Sequence, residues 1–332
     1  MTDFTAVAAR ARGLATHLFT RPELEALTPL DVPAISRALA RSGKLPAAES
    51  APAAELDRVL REVVKNATKT LARWSGAEPV LEVFAADADR RSLRALLRGA
   101  LQAAPADARL AGLFPTRTLP ERVLSELARQ PTPNDVARHL VAVDHPDAGR
   151  LSVLTAKQAQ PDLFALELAL VQGFAERATR AARAGDEVLE RFVATRLDVL
   201  DLAVAVLLST ALDVDPTRCF VDGGRIVTRA AFLEIARSGG KPHPPLRKVV
   251  AGTLLAPLAV PLVPDASTIE RQAFTLLLGS LKDDARRQPL TCAPVLFYLV
   301  RLEAMAHDLR RIIWAATQGA PAALVRPELV SP

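Results

Sequence analysis

The stretch Asp198-Val-Leu-Asp-Leu202-Ala-Val-Ala205-Val206 sets aliphatic residues at helical spacing, and the chain carries its like twice more. Asp89-Arg-Arg-Ser-Leu93-Arg-Ala-Leu96-Leu97 precedes it and Ala306-His-Asp308-Leu309-Arg-Arg-Ile312-Ile313 follows it. Such a motif occurs in many amphipathic helices, so its period carries the argument. Leu93, Leu202 and Leu309 lie 109 and 107 residues apart in a chain of 332. A second pair shares the period: Arg117-Thr-Leu-Pro-Glu-Arg-Val-Leu-Ser-Glu126-Leu-Ala-Arg129 matches Arg225-Ile-Val-Thr-Arg-Ala-Ala-Phe-Leu-Glu234-Ile-Ala-Arg237 at 108 residues.

Working outward, a long amphipathic helix is expected before each motif. Over Leu56 to Trp74 apolar residues fall at Leu56, Val59, Leu60, Val63, Val64, Ala67, Leu71 and Trp74, with basic residues mainly between them. Pro161 to Ala184 and Ser267 to Ala285 repeat the pattern, which buries one face. Thr28-Pro-Leu-Asp31-Val32 echoes Thr132-Pro-Asn-Asp135-Val136, so the chain reads as beginning in mid-unit. We therefore expect an all-α fold of three similar helical lobes related by approximate threefold pseudo-symmetry. In the first, residues 1–52 are completed by 265–332, bringing the termini together; the others are 53–160 and 161–264. Pro- and Gly-bearing stretches from Gly43 to Pro52, Asp144 to Pro161 and Gly239 to Pro264 are the expected connections, and Asp31 and Asp135 are natural N-caps.

Composition agrees. Half of the residues are hydrophobic but only 4% are aromatic, which favours helices with aliphatic cores. A net charge of +5 spread over 42 basic and 37 acidic residues is far from that of a nucleic-acid-binding arm. The two cysteines, Cys219 and Cys292, exclude a disulfide framework and fit a reducing cytoplasm. The opening MTDFTAVAARARGLATHLF reads as an amphipathic helix rather than a signal peptide, because arginines interrupt its apolar run. The most apolar stretch, Val249 to Val263, is short and contains Pro257 and Pro261, and so reads as a buried, broken segment rather than a membrane span.

Catalytic chemistry finds no foothold. Gly239-Gly240-Lys241 lacks the remainder of a phosphate loop and is followed by Pro242, so a turn is expected. Asp222-Gly223-Gly224-Arg225 likewise reads as a tight turn. His139, Asp144, His145 and Asp147 resemble a metal cluster only loosely, because no second ligand pair of standard spacing exists; a solvated loop is the expectation. Glu303 and His307 are read as an ordinary i,i+4 pair on an exposed helix face. No G-x-S-x-G elbow is present. No catalytic residue, metal ligand or cofactor is expected.

The most specific segment is Pro294-Val-Leu-Phe-Tyr298-Leu299-Val-Arg301-Leu-Glu303-Ala-Met-Ala-His-Asp308-Leu309-Arg310-Arg311-Ile312-Ile313. It resembles the closing signature of the C-type subunits of V/A-type ATPases and ATP synthases, the family that includes the d-type subunits of eukaryotic vacuolar ATPases. The matching residues are Tyr298, Leu299, Arg301, Glu303, Leu309, Arg310, Ile312 and Ile313. Arg10-Ala-Arg12-Gly-Leu14 resembles the family's opening helix, and the stretches from Asp89 and Asp198 resemble its internal Asp-x-x-Asn-Leu motifs. Ser92, Asp201 and Asp308 stand where the family usually has Asn, and the Tyr common in the family after its first helices is missing near Gly43 to Pro46.

The resemblance implies a funnel of three lobes that receives the tip of a stalk made by the D and F proteins and rests on the polar loops of the membrane proteolipid c-ring. It implies a non-catalytic coupler, peripheral on the cytoplasmic face of the membrane and associated with it through the ring rather than by insertion. Arg94, Arg98, Arg301, Arg310 and Arg311, beside the repeat motif, are the candidate contacts to acidic partner groups. The rival readings are a helical-repeat scaffold of another complex and an enzyme with a cleft between lobes.

Overall fold

The computed structural model describes residues 3–46, 49–156, 161–211, 214–260 and 265–332. Parts of the three expected connections, 47–48, 157–160 and 261–264, lie outside the described residues. The protein is all-α: about 70% of it is helical, and the described residues contain sixteen α-helices and no strand. Two compact units divide the chain, Met1–Val80 with Ala184–Pro332, and Leu81–Arg183.

The larger unit opens with α1 (Thr5–Ala15), α2 (Arg21–Leu27), α3 (Val32–Ser42) and α4 (Ala53–Leu71). Local chemistry explains their ends. Thr20 and Glu23 form a capping box before α2, Asp31 accepts the Ala34 N–H at 2.8 Å before α3, and Gly43 closes α3 in the left-handed region at φ 65°. Trp74, expected on the buried face of α4, lies beyond the helix end and is 41% exposed.

The smaller unit carries most of α5 (Glu78–Leu101), then α6 (Ala106–Leu110), α7 (Glu121–Ala128), α8 (Pro133–Ala142), α9 (Ala148–Ala156) and α10 (Leu163–Arg183). Its core collects the motif leucines Leu93, Leu96 and Leu97 with Leu119, Leu124, Leu127, Val136, Leu140, Leu151 and Leu166. Each such side chain, fully buried, contributes about 1.5–3 kcal/mol. The cap of α8 is Thr132, whose hydroxyl oxygen accepts the Asp135 N–H at 3.2 Å, while Asp135 occupies the third helical position and accepts from the Thr132 hydroxyl. Asp135 is therefore a partner of the cap and not the cap itself.

The larger unit resumes with α11 (Glu187–Leu208), α12 (Arg229–Ala236), α13 (His243–Val250), α14 (Ala266–Arg287), α15 (Ala293–Thr317) and α16 (Ala322–Val325). α15 is apolar around most of its circumference, and such a helix must be covered on every side. It packs against α1, α2, α3, α4, α11, α14 and α16. α7 and α12 begin and end 108 residues apart, the spacing of the second sequence pair. The chain ends are joined: the Arg21 amide donates to the Pro332 carbonyl at 3.1 Å and the Arg21 guanidinium to that of Leu329 at 3.0 Å.

The apolar stretch after α13 is only partly buried. Leu255 and Leu258 are fully covered, but Leu254 is exposed and Val260 is 77% exposed, because the short 3-10 turn Ala256–Ala259 shows only one side to the core. Among the described residues no helix is long and apolar enough to cross a membrane.

Candidate partner-binding site

The repeat motif places a carboxylate inside each of three helices, and each one is turned to internal use. Asp198 on α11 is fully buried and accepts the backbone N–H groups of Arg225, Ile226 and Val227 at 3.0, 3.0 and 2.8 Å. Those residues lead into α12, whose cap is Thr228. Asp89 on α5 is equally buried and accepts the hydroxyls of Thr116 and Thr118, both at 2.5 Å, in the segment that leads into α7. The same motif position therefore holds the chain 27 to 29 residues downstream in both cases. Asp308 on α15 accepts from the amides of Val330 and Ser331 at 3.0 and 2.8 Å. Covered donors demand acceptors, and Asp198 and Asp308 supply them to backbone amides while Asp89 supplies them to hydroxyls.

Environment separates Asp198, Asp201 and Asp89. Burial pushes Asp198 upward while its three backbone donors pull it down, and the net displacement is above the usual carboxylate range. Asp201, one turn along α11, is raised to about 8, chiefly by burial, because only the Val221 amide at 3.0 Å opposes it. Around Asp89, burial raises, but His145, the two threonines and Arg177 outweigh it, so its carboxyl lies below the usual range.

His145 and Asp147 overturn the expectation of a solvated loop. Both are buried, and the His145 Nε2 stands 3.6 Å from Asp89. Arg177 on α10 bridges Asp89 at 2.8 Å and Glu82 at 3.0 Å and stands 3.9 Å from Asp147. Burial holds Asp147 above its ordinary value despite His145 and Arg177. Asp89, Arg177 and His145 are far apart in sequence, so no local pattern announces this network. Among the described residues no group of three or more histidines, cysteines or carboxylates is arranged to hold a metal ion. The glycine motifs form the expected turns, Gly239 and Gly240 at φ 61° and 78° and Gly223 at φ 127°.

The five candidate arginines fall into different settings. Arg94 and Arg98, one turn apart on α5, both pair with Glu167 of α10, Arg94 at 3.0 Å. Arg310 pairs with Asp57 of α4 at 2.6 Å, with both side chains largely covered. Arg311 donates to the Glu328 carbonyl and lies 3.6 Å from Asp308. Arg301 lies over the Phe297 ring at 5.5 Å, and among the described residues it has no ion-pair partner. Burial alone draws it below the ordinary arginine value. Arg94 and Arg98 are thus brought together on one helix, Arg310 and Arg311 serve contacts within the larger unit, and Arg301 alone offers a cation without an internal carboxylate.

Comparison with curated proteins gives no match. The sequence pattern of the ATP synthase (C/AC39) subunit family, in contrast, matches residues 7–327. With an all-α chain, buried repeat-motif carboxylates and coverage from the first helix to the last turn, the protein belongs to the ATP synthase (C/AC39) subunit family of V/A-type ATPases.

Proposed function

We propose that the chain is a non-catalytic central-stalk subunit that couples the D/F rotor shaft to the proteolipid c-ring during ATP-driven or ATP-generating ion transport. It lies on the cytoplasmic face, held to the membrane through the ring, and needs no cofactor or nucleic acid. The observation that carries this reading is the family match over nearly the whole chain. The internal use of the motif carboxylates supports it, since packed helices with tied connections deform little, which suits transmission of torque. We also retain the division into lobes of 1–52 with 265–332, 53–160 and 161–264, supported by the matching bonds of Asp89 and Asp198.

Co-purification from membranes tests the function. The chain should travel with the D and F stalk proteins and the proteolipid ring, and leave the membrane when the stalk is stripped without detergent. Recovery with an unrelated assembly, or tight ATP binding by the isolated chain, would refute the coupling role.

A further inference from the structure

One cavity of the larger unit, about 360 Å³, is bordered by α1, α14 and α15 and brings four cationic side chains together: Arg12, Lys282, Arg286 and Arg301. Its size is within the range of small-molecule pockets, about 300–1,000 Å³. Among the described residues no carboxylate side chain lines it, and none of the four cations is in an ion pair. The guanidinium of Arg12 is anchored by donating to the carbonyls of Ala285 and Pro289 at 3.4 and 3.2 Å, and Arg301 is set against the face of Phe297. Lys282 and Arg286 stand one turn apart on α14, a like-charge spacing that costs free energy when nothing neutralises it. Pro332 also borders the cavity, its carbonyl already accepting from the Arg21 amide.

We propose that this cavity is a binding site for a diphosphate-class oxyanion, dissolved or carried by a lipid headgroup. Three guanidinium forks match the geometry of phosphate oxygens, and a lysine adds a mobile point charge. Convergence from three helices in one unit gives the ligand several charge-assisted bonds at once, while Phe297 and Pro294 supply an apolar wall. The half-buried setting of Arg301 lowers the competition from water at one of these bonds. The site is independent of the coupling role proposed above.

Titration calorimetry with pyrophosphate, at ionic strength matched with chloride, tests it on the full chain. One-to-one binding is expected, weakened at least about tenfold by Arg301→Gln. The Lys282→Gln/Arg286→Gln double substitution changes only exposed side chains and removes a like-charge pair, so it should weaken binding similarly without lowering the melting temperature. Arg122→Gln, an exposed cation of the other unit, should have no effect. A parallel sedimentation arm with cardiolipin vesicles, whose headgroup carries two phosphates, distinguishes the sources: binding lost with Arg301 in either arm supports the site and identifies the carrier. Absence of binding in both arms, or binding that ignores the Arg301 and Lys282/Arg286 substitutions, overturns it.

Discussion

A methyl group placed on Gly224 would lie 2.1 Å from Oδ1 of Asp198, so the buried carboxylate and the glycine occupy one another's only available space. This close approach lets the amides of residues 225–227 reach the carboxylate. Gly173 stands in the same relation to Asp147, at 1.9 Å.

Gly224→Ala should therefore destabilise the protein by about 2–3 kcal/mol, from overpacking added to disturbed buried hydrogen bonds. Gly173→Ala should act similarly through Asp147. Gly149→Ala, where the added methyl meets nothing within 4 Å, is the control and should change stability little. Urea unfolding read by circular dichroism checks the series, and equal stabilities for all three variants would refute the steric account.

The long helices were legible in sequence because α4, α10 and α14 keep apolar residues at a period near 3.6, and the fixed spacing of Leu93, Leu202 and Leu309 marked the motif helices. The internal duty of Asp89, Asp198 and Asp308 was less legible. A signal existed, since each sits within an apolar stripe where a charge demands a partner. The partners, at 22 to 29 residues' distance, lie in irregular segments without periodicity. Arg310 shows the same limit: beside the motif it reads as a surface cation, but Asp57 is 253 residues away in sequence. Arg301 stands apart because its neighbours Arg12 and Lys282 come from distant helices of the chain.

Asp201 gives the protein a distinctive pH dependence. Its Oδ2 is buried without a hydrogen-bond partner among the described residues, which suits a protonated carboxyl. With its pKa at about 8 in the folded state against 3.8 ordinarily, the folded chain holds a proton that the unfolded chain releases. This contribution to stability is complete below about pH 4 and is lost as pH rises through about 8. Asp201→Asn keeps the acceptor for Val221. The variant's stability relative to the wild type should rise by at least about 1 kcal/mol between pH 5 and pH 9. Parallel stability curves at the two pH values would show that Asp201 ionises normally.

The Arg310–Asp57 pair ties α15 to α4 at a site where both side chains are mostly covered. Breaking it by Arg310→Met should cost about 3 kcal/mol, because among the described residues Asp57 keeps Arg61, at 3.4 Å, as its remaining compensating charge. Replacing both, Arg310→Met with Asp57→Asn, should recover more than half of that loss. A double-mutant cycle by chemical denaturation measures the coupling, and additive losses would place the pair's worth elsewhere. The same burial means that charge reversal at Arg310 perturbs the fold, so weakened assembly in such a variant is no evidence of a partner contact.

Cys292 is the natural probe of the joint between α11 and α15. Asp186 caps α11 by accepting the Leu189 N–H at 3.0 Å, and its other oxygen accepts the Cys292 N–H at 2.8 Å. The Cys292 thiol donates to the same carboxylate at 2.9 Å. Burial, then the hydrogen bond to Asp186 and its negative charge, push this thiol far above its ordinary range, and burial raises Cys219 too. Because only the thiolate attacks, neither residue should react with an aromatic disulfide reagent in the native protein at pH 8, while both should react once it is unfolded. Asp186→Ala removes the acceptor, the negative charge and the cap together. It should expose Cys292 to slow labelling through local opening, with a stability loss of about 1–2 kcal/mol. Fast native labelling of Cys292 in the wild type would mean that the α11–α15 joint opens freely, and a body that loosens there would transmit torque poorly.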